Sequence, residues 1–95
     1  MKLQIHFQTG DLKINELLEG ANADDIVAAM QKRVATDAGF LVGAVVRNMT
    51  ALQFAREATR RYNAALKDDA PLPNTCAEFV EMSIQKKFAT VVEAV

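Results

Sequence analysis

Two side chains able to carry chemistry occur once each, His6 and Cys76. A histidine acts as a general base when a partner within hydrogen-bond reach orients it. The neighbours of His6, Lys2-Leu3-Gln4-Ile5 before it and Phe7-Gln8 after it, include no carboxylate and no nucleophile. His6 therefore reads as a solvent-facing or interface residue. Cys76 follows Thr75 at a candidate helix start, a position that lowers a thiol's pKa and can create a reactive thiolate. No histidine lies near it, and Glu78 and Glu81 would oppose a thiolate there. It reads as an inert, packed cysteine.

The adjacent carboxylates are Asp24–Asp25 and Asp68–Asp69. A calcium loop needs alternating oxygen ligands and a distal bidentate glutamate, which neither pair has, so both read as helix-start and loop residues. The four glycines are not clustered into a phosphate-binding loop, and there is no HExxH, CxxC or nucleophile elbow. On these grounds the sequence assigns no catalytic residue, no cofactor-binding residue and no metal ligand. The remaining candidate is basic: Arg56, Arg60 and Lys67 fall on one stripe of a predicted helix, with Arg61 beside them. Such a stripe could contact phosphates. Segment 50–67 carries +3 and segment 68–95 carries −3, however, so a solvated face, or pairing with the acidic last helix, is the competing reading. The stripe is not interleaved with aromatics as single-strand binders prefer.

The elements that would position these residues follow from periodicity. Leu3, Ile5 and Phe7 alternate with Gln4, His6 and Gln8, which predicts a half-buried strand over 2–8. Thr9-Gly10-Asp11 reads as a turn, and Leu12 and Ile14 alternate with Lys13 and Asn15, which predicts a hairpin of 2–8 with 11–15. Residues 16–19 suit either more strand or one helical turn. Asn22 is a candidate N-cap, with Asp24 and Asp25 facing the positive end of the helix dipole. Ile26, Val27, Met30, Val34 and Ala38 share one face, which predicts an amphipathic helix over about 23–38. Segment 40–47 is rich in valine, as a buried strand would be, yet Leu41 and Val45 continue the preceding helical phase. A helix broken near Gly39 is the favoured reading. Thr50 and Gln53 have capping-box spacing, and Met49 and Phe54 that of a hydrophobic staple, which predicts a helix from Thr50 to about Lys67. Pro71 and Pro73 mark a connector. Thr75 and Glu78 suggest a second capping box, and Ala77, Val80, Ile84, Phe88, Val91 and Val95 align on a last helix over about 76–93.

The opening resembles ubiquitin-like β-grasp proteins: a strand from Met1, a Thr-Gly turn, a second strand and an amphipathic helix, over about 38 residues. That resemblance would imply further strands, whereas residues 50–93 read as two helices. The chain ends Glu93-Ala94-Val95 rather than in the diglycine that carries conjugation or sulfur chemistry in that superfamily. It is not assigned to the family.

The expected fold class is therefore α+β, an N-terminal β-hairpin packed against three or four α-helices in a single small domain. Apolar residues make up 51% of the 95, charged ones 24%, and the net charge is −1, which excludes a disordered chain. One cysteine excludes an intrachain disulfide framework. The longest uncharged run, 38–46, has nine residues, well short of the ~20 a membrane span needs. The opening alternation is unlike a signal peptide, so a cytoplasmic location without membrane contact is expected. A core this small has a thin margin, and self-association is a common supplement. If helical, segment 40–46 is apolar nearly all round, and Phe40, Val42 and Val46 become the candidate self-association residues. Strand edges left open by a lone hairpin would favour the same outcome. The leading expectation is a non-enzymatic interaction or assembly module that acts as a homo-oligomer or binds another protein. The alternatives are a nucleic-acid-associated regulator using Arg56, Arg60, Arg61 and Lys67, and a small-ligand carrier or enzyme with a site at a subunit interface.

The Thr50 cap gives a first prediction. Thr50→Ala should lower stability by about 1 kcal/mol, measured by urea unfolding. An unchanged midpoint would mean that the helix runs unbroken from Phe40.

Overall fold

A computed structural model describes the backbone of residues 1–9, 12–37 and 39–93, and the side chains of these except at 7–9, 12, 13, 40, 41 and 93. The alternating opening forms β1 (Lys2–Thr9), antiparallel to β2 (Leu12–Glu19). Residues 16–19 thus continue the strand, while the turn expected at Gly10-Asp11 falls outside the described residues. In this register Leu3 faces Leu18 and Phe7 faces Ile14. Leu3, Ile5, Ile14 and Leu18 are buried, and Gln4, His6, Asn15 and Leu17 lie on the opposite, outer face. One side of the sheet is apolar and must be covered.

Helices α1 (Ala23–Asp37), α2 (Phe40–Arg47), α3 (Ala51–Leu66) and α4 (Cys76–Gln85) cover it. Asn22 accepts the Asp25 N–H at 3.0 Å at the start of α1. Ile26, Val27, Met30 and Val34 then face the core together with Gln31 and Ala35. At Gly39, φ is +87°, which favours glycine and ends any continuous helix from α1 into α2. The break cancels the expected continuity of phase: Val45 is exposed, and Gly43 and Val46 turn inward instead. A Cβ at residue 43 would stand 2.4 Å from the Ala35 carbonyl oxygen, so only glycine lets α2 lie this close to α1. Thr50 and Gln53 form the full reciprocal capping box of α3, at 2.8 and 3.1 Å. At α4, Thr75 accepts the Glu78 N–H at 3.1 Å, but the Glu78 carboxylate accepts from Asn74 at 3.4 Å rather than closing the box on Thr75.

The fold is α+β as expected, with one correction. The last helix does not reach residue 93; it stops at Gln85, and Ala89–Glu93 forms β3. β3 pairs antiparallel with β1 on the side away from β2, so the sheet order is β2-β1-β3. The β1 edge expected to be open is therefore occupied over Lys2–Ile5. The stop is a left-handed residue at Lys87, φ +66°. The Lys87 N–H donates to Ile84 O at 3.1 Å and the Phe88 N–H to Ser83 O at 2.8 Å, the paired bonds of a Schellman motif. Phe88 O then accepts the His6 N–H, at 2.6 Å, at the start of the β1–β3 pairing. Glycine usually marks this motif, and lysine here gives no such signal. Lys67, φ +53°, is also left-handed and ends α3, with its N–H and that of Asp68 both donating to Asn63 O.

Lys87→Gly tests the correction by the sign of its effect. In a left-handed turn the substitution removes a cost of roughly 1–2 kcal/mol and adds about 0.5–1 kcal/mol of unfolded-state freedom, a net gain of up to about 1.5 kcal/mol. In a helix continuing to residue 93 it would instead lose about 1 kcal/mol. The urea midpoint should rise.

Candidate functional site

Between the sheet and the four helices lies a cavity of about 390 Å³. Ile5 and Ile14 line it from the sheet, and Met30 and Val34 from α1. On α2, Val42, Val45 and Val46 reach it, and Phe54, Ala58 and Tyr62 do so from α3. Phe79 and Met82 of α4 and Phe88 complete the apolar wall. The charged residues that line it, Asp37, Glu57 and Arg61, have solvent-exposed side chains and so belong to its mouth.

Two polar clusters hold the walls. The first centres on Gln31, whose Nε2 donates to Val46 O and to Met49 O, both at 2.7 Å. These bonds tie the end of α2 and the link to α3 onto α1. Gln31 falls within the apolar stripe between Val27 and Val34, and that misplaced amide is the signal from which a buried clamp could have been read. The second cluster centres on Asp68. Its Oδ2 accepts from Tyr62 Oη and, at 2.9 Å, from Lys86 Nζ, while Oδ1 accepts the Asp69 N–H at 2.8 Å. Tyr62 first, then Lys86 and the Asp69 amide, hold the Asp68 carboxyl down at about 2. The same bond to Asp68 raises the Tyr62 phenol, and the ion pair raises the Lys86 ammonium. The Tyr62 ring meets Phe88 edge-on, with centroids 5.0 Å apart and the planes at 74°. Tyr62 thereby joins α3, the connector and the turn into β3.

The residues singled out from sequence are dispersed. His6 is exposed on the outer face of the sheet, opposite Asn15, which accepts from Gln4 at 3.0 Å. Cys76 is buried, and its thiol is pushed up to about 11, by burial first and then by Asp24. Asp24 of α1, rather than Glu78 or Glu81, is the carboxylate that opposes a thiolate. Arg56 donates to Pro73 O at 2.9 Å and so holds the proline connector. Arg60 and Arg61 both pair with Glu57 of their own helix, at 3.1 and 3.6 Å, rather than with acidic residues of α4. Lys67 is exposed in the turn after α3. The expected phosphate-facing stripe is thus divided between a structural bond, two intrahelical pairs and a turn. Val42 is exposed, whereas Val46 is a core residue, which corrects its placement on an outer surface. The side chain of Phe40 lies outside the described residues.

The cavity lining is mostly apolar. Among the described residues, no three His, Cys, Asp or Glu side chains are grouped so as to hold a metal ion. No described helix is long and apolar enough to cross a membrane.

The Asp68 cluster predicts an acid response. Its folded pKa, about 2, lies below the ordinary value of 3.8. Its contribution is therefore complete above the ordinary value and is lost as pH falls from there through the folded value. Asp68→Asn should be less stable than the parent at pH 6 and should show a shallower fall in urea midpoint from pH 5 to pH 2. Parallel curves would mean that the carboxylate has no such role.

In comparisons with protein-family models, curated proteins and solved structures, none matches this chain.

Proposed function

We propose that the protein is a non-enzymatic interaction or assembly module that works as a homo-oligomer, with α2 as its contact element. One observation carries this reading. Val42 and Val45, neighbours on the outer side of α2, are 53% and 59% exposed, while Gly43 and Val46 of the same helix are buried. This eight-residue helix is apolar on both sides, and among the described residues nothing covers the outer one. The valines also border the mouth of the cavity, so the apolar surface continues inward past them. β2 and β3 are the outer strands of the sheet, and β3 carries two further exposed apolar residues, Val91 and Val92. Exposed edges of this kind favour pairing with another chain. With a radius of gyration of 12.3 Å, the molecule has little depth in which to hide such residues. A two-fold dimer is the commonest way of covering a patch of this kind with its own copy.

Sedimentation at tens of micromolar should give a species larger than one chain. Val42→Asp with Val45→Asp should convert it to a folded monomer with unchanged circular dichroism. Val46→Asp, which buries an unpaired charge at a cost of several kcal/mol, should unfold it instead. A wild-type chain that is strictly monomeric under these conditions overturns the proposal.

A further inference from the structure

We infer that the cavity behind α2 is a binding site for a small, uncharged, apolar molecule. This site is built within one chain, so the inference does not rest on self-association. Protein interiors are packed so closely that few voids exceed a water molecule, whereas ligand pockets run from about 300 to 1,000 Å³. At about 390 Å³ this cavity belongs with the pockets.

The chemistry of the walls selects the occupant. Met30, Met82 and Phe79 present thioethers and an aromatic ring, groups that adapt to varied apolar shapes. The hydroxyls that line the cavity are engaged elsewhere: Ser83 Oγ donates to Phe79 O at 2.9 Å, and Tyr62 Oη donates to Asp68. Water needs two to four polar partners to be held in a cavity, and these walls direct none of those protons inward. A charged ligand is equally unmatched. At the mouth, Arg61 is paired with Glu57, and Asp37 with Arg33 at 3.4 Å. The charges that line the mouth are two carboxylates, Asp37 and Glu57, and one guanidinium, Arg61, so an anionic head group meets no surplus positive charge to offset its loss of hydration. An apolar guest meets no such cost and gains hydrocarbon contact from all four helices. Since an apolar cavity of about 150 Å³ accepts one benzene, the volume here, about 390 Å³, suits two or three aromatic rings or an alkyl chain of about ten carbons.

The uncharged fluorophore N-phenyl-1-naphthylamine tests the site with the native full-length chain. It should bind saturably, one per chain, and decan-1-ol should displace it at least tenfold more effectively than decanoate. Ala58→Phe, which fills the cavity from α3 without altering Val42 or Val45, should weaken binding at least tenfold while leaving circular dichroism unchanged. If that variant does not fold, Ala58→Leu serves with the same expectation. The inference is overturned if the probe does not bind saturably, if the folded filling variant binds as well as wild type, or if decanoate competes as well as decan-1-ol. Sedimentation of the same samples separates the two readings. A monomer that binds the probe defeats self-association alone, and an oligomer that does not bind it defeats the ligand site alone.

Discussion

The structure depends on giving β1 a hydrogen-bonded neighbour on each side. A two-stranded hairpin is marginal by itself, and here the second neighbour comes from the far end of the chain. The β1–β3 pairing places Leu3 beside Val91 and Ile5 beside Ala89. Every helix lies between those two strands in sequence. Closing the sheet therefore encloses all four helices in one loop of chain and holds them over the apolar face of Leu3, Ile5, Ile14 and Leu18. The cost of closing so long a loop grows only slowly with its length, so a modest ladder can hold it.

Within that loop the helices are held at their ends rather than packed to full density in the middle. Gln31 fastens the end of α2 to α1, and Gly43 lets the two backbones approach. Asp68 and Tyr62 fasten the end of α3 to the turn that leads into β3. Arg56 fastens the middle of α3 to the proline connector. The space between these attachment points is the cavity. Buried hydrogen bonds have narrow geometric requirements while apolar contact is non-directional, so the fastened ends set the spacing and the apolar centre conforms to it.

The same arrangement accounts for the use of charge. Arg33 joins Glu16 of β2 to Asp37 of α1, at 3.2 and 3.4 Å, and Glu57 collects two arginines of its own helix. One oxygen of Glu16 is buried and meets Arg33 as an ion pair without hydrogen-bond geometry. These charges neutralise one another locally, apart from the apolar surface on α2 and in the cavity.

Local chemistry was sufficient for much of this to be legible from sequence. Alternation over residues 2–8 defines a strand because its side-chain period is two, whatever lies beyond it. Asn22 and Thr50 begin helices because their side chains satisfy amides a few residues away. Gly39 breaks the helical path because it adopts a φ that other residues resist. What tertiary structure decided were the features whose partners are distant in sequence. Phe88 to Val92 fits a helical face and a strand equally well, and only the free edge of β1 selects the strand. Lys87 takes a left-handed turn that glycine would have announced, because the chain must reverse there to reach that edge. Gln31 looks like a flaw in an apolar stripe until the carbonyls of Val46 and Met49 are brought to it. The cavity has no sequence signature, since its lining comes from side chains that each read as ordinary core. A void arises from the distance between elements, and that distance is set only when all of them are in place.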